Sequence, residues 1–92
     1  MTHTIREKTR LLARVRRIRG QMEALERGLE SELGCADVLM LIASVRGAVN
    51  GLMAEVMEEH IRRHVVDPVH ERDRARAVGA QELIEAVRTY LK

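Results

Sequence analysis

The chain has 92 residues, with 16 lysines and arginines, 14 aspartates and glutamates, one cysteine and a formal net charge of +2. A chain of this length forms one domain, which we place over residues 1–92, and it buries so little surface alone that oligomerisation is favoured. One cysteine excludes an internal disulfide, and no apolar run approaches the roughly 20 residues of a membrane span, so we expect a cytoplasmic protein without membrane contact.

The first predicted helix covers residues 4 to 29. Thr4 and Glu7 have the spacing of a capping box, which marks a helix N-terminus. Apolar residues then recur at alternating spacings of four and three, the heptad pattern of a helix that packs against another helix. These residues are Leu11, Val15, Ile18, Met22, Leu25 and Leu29. We expect this region to end at Gly34.

The first helix is also strongly basic. Residues 1–20 carry seven lysines and arginines against Glu7 alone, a local balance of +6, whereas the other 72 residues sum to −4. A concentrated basic face on a helix indicates binding to a polyanion. No helix-turn-helix, zinc-finger or RNP motif is present, which favours readout of the DNA backbone and shape. The predicted DNA-binding residues are Lys8, Arg10, Arg14, Arg16, Arg17 and Arg19.

The second predicted helix covers residues 35 to 65 and is apolar on more than one side. One seam consists of Val38, Ile42, Val45, Val49, Leu52 and Val56, and a neighbouring stripe consists of Met53, Met57, His60 and His64. A helix of this kind packs both within its own subunit and across a subunit interface.

Pro68 ends the second helix, because proline disfavours helix in the residue before it. Residues 67–79 are polar and charged and are predicted to form a linker with some helical character, and a short third helix follows over residues 80 to 91. No strand pattern is visible. The predicted fold is therefore all-α, with a long antiparallel helical hairpin and a short C-terminal helix.

His60 and His64 lie four residues apart, so both imidazoles project from one face of the second helix. Together with the thiolate of Cys35 and the imidazole of His3, they suit a borderline divalent metal such as nickel, cobalt or zinc. Glu58 and Glu59 lie nearby as possible hydrogen-bond acceptors for the histidines. A simpler interpretation stays open, since histidines at a helix end are often surface residues and a lone cysteine is often a small buried apolar residue.

The spacing also constrains how these ligands could meet. Cys35 and His60 are 25 residues apart on one helix, roughly 37 Å at 1.5 Å per residue, so they cannot bind one ion within a subunit. An antiparallel partner helix would place Cys35 of one subunit beside His60 and His64 of the other. Removal of Met1 would leave the amine of Thr2 next to His3 as a chelating end.

An enzyme is a poor interpretation of this sequence. It contains no plausible Ser/His/Asp arrangement, no glycine-rich phosphate loop and no HExxH motif.

Two segments, residues 14–21 and 45–56, together with His60, resemble the CsoR/RcnR/FrmR family of bacterial metal- and aldehyde-responsive repressors, and the resemblance covers essentially the whole chain. It implies an all-α, disc-shaped tetramer made of two dimers, without a helix-turn-helix. Such a protein binds operator DNA and is released by its effector.

The resemblance also bears on the effector. Copper sensors of the family carry a Cys-His-Cys set, and persulfide sensors need a second cysteine, whereas this chain has His64 at the third position and one cysteine. Nickel and cobalt sensors of the RcnR type carry an N-terminal Xaa-His followed by Cys, His and His. Residues Thr2, His3, Cys35, His60 and His64 match that pattern, which implies release by Ni(II) or Co(II), with Zn(II) also able to bind, and control of a metal efflux gene.

Two other functions stay open. Residues 14–19 and 54–56 resemble the formaldehyde-responsive branch, in which Cys35 would be the nucleophile and the Thr2 amine would close a methylene cross-link. Formaldehyde sensors, however, pair an N-terminal proline with the cysteine and usually carry a glutamate where this chain has His64. The third function is a helical metal-storage protein that does not bind DNA.

Overall fold

A computed structural model describes residues 4–91, which form three α-helices and no strand. Helix α1 is Ile5–Glu30, α2 is Cys35–His64 and α3 is Arg74–Tyr90. The predicted all-α class is confirmed, and the first two helices agree with their predicted bounds to within one residue.

Local hydrogen bonds explain where α1 begins and ends. Thr4 Oγ1 accepts from the Glu7 amide, and Glu7 Oε1 accepts from the Thr4 amide at 3.2 Å, so the predicted capping box is present. At the other end the Leu33 amide donates to the Gly28 carbonyl at 2.8 Å, and Glu32 has a φ of 58°. This is a Schellman motif with Glu32 in the left-handed position. The chain therefore reverses before Gly34, where the prediction had placed the end of this region.

Helix α3 begins six residues before its predicted start. Asp73 is its N-cap, and Asp73 Oδ1 accepts from the amides of Ala75 and Arg76 at 3.0 and 3.3 Å. The predicted start of α3 at residue 80 is wrong, whereas the helical character expected within residues 67–79 is present from residue 74 onward. The N-cap Asp73 was missed because it lies among other charged residues. The arginines in the first turns of α3 are exposed to solvent, so their charge is compatible with a helix.

The described residues form two compact units, residues 4–52 and residues 53–91. The single domain that we placed over residues 1–92 stays a prediction.

The unit of residues 4–52 is an antiparallel pair made of α1 and the first part of α2. Gly28 is buried, and a Cβ built on it would lie 3.2 Å from Leu33 Cδ2 and 3.4 Å from Leu41 Cδ1. Gln21 Nε2 donates to Ser44 Oγ, and Arg14 Nη1 lies 3.2 Å from a Cβ built on Gly51. Residues nearer the start of α1 thus contact residues nearer the end of this part of α2, as in two antiparallel helices.

The predicted heptad seam of α1 is divided in the structure. Its members Leu11, Ile18 and Leu25 are half-buried, whereas Val15, Met22 and Leu29 are exposed. The predicted seam of α2 divides in the same way. Its half-buried residues are Val38, Val45, Leu52 and Val56, and its exposed residues are Ile42 and Val49. Each helix thus has a second apolar stripe that its own chain leaves exposed.

The unit of residues 53–91 combines the end of α2 with α3. Ala54 and Ile61 of α2 pack with Ile84 and Val87 of α3, and Ile84 is fully buried. Leu91 packs against this cluster. The small apolar core therefore lies directly beside the helix turns that carry His60 and His64.

Helix α2 is, by length and composition alone, apolar enough to cross a membrane. The expectation concerned an unbroken apolar run of roughly 20 residues, which α2 does not contain. Asp37 and Arg46 interrupt the apolar residues, so a search for an unbroken run passes over the helix. A core helix of a soluble protein passes the same test, so the finding is weak evidence of insertion.

Candidate functional site

His60 and His64 lie side by side at the end of α2. Their ring centroids are 5.1 Å apart, the rings are tilted by 38°, and both residues are exposed. Because α2 is unbroken to His64, its helical repeat sets both side chains on one face. Two imidazoles at this distance can turn a nitrogen toward one ion, since metal–nitrogen bonds are about 2.0–2.1 Å long. The donors therefore fit a borderline divalent metal.

Of the other predicted ligands, the structure describes only Cys35. Cys35 is the first residue of α2 and is an exposed free thiol, whereas the histidines lie in the last two turns of that helix. Thr2 and His3 lie outside the described residues, immediately before the N-cap of α1 at Thr4. Within residues 4–91 no group of three or more histidine, cysteine, aspartate or glutamate side chains could hold a metal ion.

The carboxylate of Glu58 is bound by two arginines rather than by a histidine. Arg88 of α3 donates from Nε and Nη2 at 2.7 and 2.9 Å, and Arg62, one turn along α2, donates from Nε at 3.2 Å. The hydrogen bond from Arg88 holds the pKa of Glu58 below its ordinary value and raises the pKa of Arg88. The suggested role of Glu58 as an acceptor for the histidines is thus not what the structure shows.

These ion pairs continue into the loop after α2. Arg62 Nη1 lies 3.8 Å from Asp67 Oδ1, and Asp67 Oδ2 lies 2.8 Å from His70 Nδ1. The contact with His70 lowers the pKa of Asp67. The sequence offered a signal for Glu58 and Arg62, which are four residues apart on a helix, but none for Arg88, which lies 30 residues further along.

The predicted DNA-binding residues are all exposed on α1. In the part of the chain that the structure describes, no acidic side chain pairs with Lys8, Arg16, Arg17 or Arg19. Arg10 and Arg14 have contacts of their own, and the guanidinium of Arg14 lies against Gly51 of α2. Four cations thus remain available to an external polyanion.

Comparison with known proteins decides the family. A family model described as a metal-sensitive transcriptional repressor matches residues 7–89. This chain belongs to that family. A metal-sensitive repressor of this kind is a transcriptional regulator and not an enzyme, and the predicted membership of the CsoR/RcnR/FrmR family is confirmed.

Relatives within the family span the whole chain. An uncharacterized protein encoded in the bioA 5′ region of Serratia marcescens is 51% identical over 92 residues, which is all of both chains. The transcriptional repressor RcnR of Salmonella paratyphi B is 44% identical over 93 residues, again covering both proteins completely.

A solved structure shares the fold. It is a variant of the formaldehyde-responsive regulator FrmR from Salmonella enterica serovar Typhimurium, in which a glutamate is replaced by histidine. The TM-score is 0.68 and the identity 48%, with 97% of this chain and 99% of that chain covered. The repressor described here is thus similar both to a transcriptional repressor, RcnR, and to a regulator named for its response to formaldehyde.

Proposed function

We propose that this repressor binds operator DNA in its effector-free form and that Ni(II) or Co(II) releases it, so that a metal efflux gene is expressed. The observation that carries the proposal is the exposed His60–His64 pair, with ring centroids 5.1 Å apart, in a member of a metal-sensitive repressor family. The 44% identity to RcnR over the whole chain supports it. As an operator-binding protein it would act in the cytoplasm.

The full ligand set we propose spans two subunits. Cys35 begins α2 and His64 ends it. At 1.5 Å per residue Cys35 lies roughly 37 Å from His60 along this helix, so the thiolate must come from a partner chain. The amine of Thr2 and the imidazole of His3 complete a site of higher coordination number. Zn(II) binds the same donors, so the choice among the three metals depends on geometry and supply.

Exposed apolar surface supports assembly into a homotetramer of two dimers. Among residues 4–91, seventeen large apolar side chains are exposed and only five apolar residues are buried. On α2 the exposed ones recur at helical spacing toward the histidine pair, at Leu39, Ile42, Val49, Met53 and Met57. A stripe of this extent is typical of a protein–protein interface. A second α2 packed there in antiparallel fashion would bring Cys35 of one chain to the histidines of the other.

The same arrangement explains how an effector could control DNA binding. Lys8, Arg16, Arg17 and Arg19 would contact phosphates, with Arg10 and Arg14 beside them. Because Thr2 and His3 precede α1 directly, their participation in the site acts on the helix that carries these cations. Coupling of about 1–3 kcal/mol, or 5- to 150-fold in affinity, is typical of such linkage.

A formaldehyde response is the second candidate, favoured by the likeness to FrmR. The exposed Cys35 thiol and the Thr2 amine would each add to formaldehyde, forming an S–CH2–N bridge with loss of one water. His64 speaks against it, since formaldehyde sensors usually carry glutamate at that position. The solved FrmR structure is itself a variant in which histidine replaces a glutamate.

The test is fluorescence anisotropy on DNA from upstream of the protein's own coding sequence, with and without Ni(II), Co(II), Zn(II) and formaldehyde. We expect Ni(II) or Co(II) to weaken DNA binding at least about fivefold. His64→Glu should abolish that response. His70→Gln should retain it, because His70 is an exposed histidine outside the pair.

Other results would support one of the two alternative functions. Release by formaldehyde alone, with a mass gain of one carbon atom linking Cys35 to the N-terminus, would establish the second candidate. Affinity that does not depend on salt, and that Arg16→Gln leaves unchanged, would favour the metal-storage function, since phosphate contacts make DNA binding salt-dependent. Membership of a repressor family already speaks against storage.

A further inference from the structure

The ion pairs around Glu58 join three parts of the unit of residues 53–91. Glu58 lies near the end of α2, Arg88 lies near the end of α3, and Arg62 reaches from α2 toward Asp67 in the loop. Arg88 binds Glu58 with two nitrogens, at 2.7 Å to Oε1 and 2.9 Å to Oε2. A two-point contact between a planar guanidinium and a carboxylate constrains orientation as well as distance.

The position of this cluster relative to the histidines is set by the helical repeat. Ile61 and Ala54 define the buried face of α2 against α3. Glu58 and Arg62 fall about 60–100° to one side of Ile61, and His60 and His64 fall about as far to the other side, at 100° per residue. The ion pairs and the histidines therefore flank the same packed face.

Apolar packing by itself does not single out one rotation of the end of α2 against α3. The four core side chains Ala54, Ile61, Ile84 and Val87 are apolar, and apolar contact is not directional. His64 is the last helical residue, and the amides of Val65 and Val66 both donate to the Ile61 carbonyl. A directional contact on one flank is what would fix the angle at which the other flank presents its side chains.

We propose that Arg88 is a positioning residue. Through Glu58 it fixes the rotation of the last two turns of α2 against α3, and so the direction in which those turns present the His60–His64 pair that the helical repeat sets side by side. It thereby links the effector site to α3. The inference rests on the proposed function for its metal, but the effect on α2 does not depend on which effector binds.

The experiment compares Co(II) binding, followed by its visible absorption, in the full-length oligomer of the wild type and of Arg88→Met. We expect Arg88→Met to bind Co(II) about tenfold more weakly. An effect of this size is usual when a residue that orients a metal ligand, without binding the metal itself, is replaced. Arg88→Lys should be intermediate, because lysine keeps the charge but not the two-point contact. The matched control is Arg74→Met, since Arg74 is an exposed arginine of α3 without an ion pair within residues 4–91.

A second readout needs no metal. Amide hydrogen exchange in the effector-free protein should be several-fold faster at residues 61–66 in Arg88→Met, and unchanged there in Arg74→Met. Glu58→Gln should reproduce both effects, and the double variant should be no worse than Glu58→Gln alone, since both substitutions break the Glu58–Arg88 contact.

The proposal is overturned if Arg88→Met binds Co(II) like Arg74→Met, or if the Glu58 and Arg88 effects add. If the wild type shows no Co(II) absorption that depends on His60 and His64, the proposed function fails. In that case exchange at residues 61–66 decides the positioning role alone, with faster exchange supporting it and unchanged exchange refuting it.

Discussion

Glu32 occupies the most constrained backbone position of the described chain. Its φ of 58° lies in the left-handed region, where a side chain with a Cβ is disfavoured. The Schellman hydrogen bonds around it let Leu33 turn back over Gly28, the buried glycine of α1. This one residue thus sets how α1 passes into α2.

Replacement of Glu32 by glycine is expected to stabilise the protein by about 1 kcal/mol, because glycine adopts a positive φ without steric cost. Glu30→Gly, two residues earlier and inside α1, should destabilise it by a similar amount, since glycine is a poor helix former. Urea denaturation monitored by circular dichroism measures both free energies of unfolding. Equal destabilisation by the two substitutions would contradict the assignment of the turn to Glu32.

The described histidines differ in what surrounds them. His60 and His64 face one another, whereas His70 is bound to Asp67 in the loop at 2.8 Å. The contact lowers the pKa of Asp67, whose carboxylate binds His70 within the loop. This difference in neighbours is why His70 serves as the matched control for substitutions at the pair.

At the scale of the element, the end of α2 carries two kinds of chemistry on opposite flanks of one packed face. The side chain of Glu58 is 22% exposed and that of Arg88 is 47% exposed. A partly exposed ion pair contributes about 1 kcal/mol or less to stability. The pair nevertheless has a measurable signature, because it lowers the pKa of Glu58.

Stability should depend on pH through this pair. Since hydrogen bonding from Arg88 holds the pKa of folded Glu58 below its ordinary value of 4.5, the pair stabilises the folded state fully above that pH. The contribution is lost as the pH falls below 4.5 through the lowered folded pKa. We expect Arg88→Met to cost about 1 kcal/mol at neutral pH, after allowance for solvent screening, and measurably less at pH 3.

Urea denaturation at both pH values gives the four free energies of unfolding that this prediction needs. Asp67 also has a lowered pKa, but the wild type and Arg88→Met share that group, so its contribution cancels in the difference. A difference between the two proteins that stays constant from neutral pH to pH 3 would show that Arg88 stabilises by packing and not through the ionised carboxylate.

At the scale of the whole molecule, the main feature is that more large apolar side chains are exposed than apolar residues are buried among residues 4–91. The exposed apolar residues occur on all three helices, and a chain of 92 residues has little core of its own. Apolar side chains such as Val15 and Met22 on α1 and Ile42 and Val49 on α2 share the spacing of a packed helix but have no cover in their own chain. An assembly of several copies would cover them.

Ile42 and Met40 provide a matched pair for testing this assembly. Both are exposed apolar residues of α2, 46% and 70% exposed, but two residues apart they point to different sides of the helix. We expect Ile42→Glu to reduce the mass of the oligomer in sedimentation velocity, because it buries a charge in the proposed interface. Met40→Glu should leave the mass unchanged. Equal masses for both variants and the wild type would place the interface elsewhere.

The sequence by itself determined the local features of this protein. Thr4 and Glu7 marked the start of α1, and Pro68 marked the region in which α2 ends, because caps and helix breakers act over a few residues. The one-turn spacing of His60 and His64 placed them together, since the helical repeat alone brings such residues side by side. The family, too, could be inferred from residues 14–21 and 45–56.

Only the tertiary structure decided which apolar residues are buried within their own chain. It also decided which residues contact the end of α2 from α3. A heptad pattern marks a helix as apolar on one side but does not divide the stripe between two neighbours, so Ile18 and Val15 were indistinguishable until α2 was packed on α1. Glu58 and Arg88 are 30 residues apart, and their contact exists because Ile61, Ile84 and Val87 pack two helices together. Contacts of that kind depend on packing in three dimensions, which local periodicity does not encode.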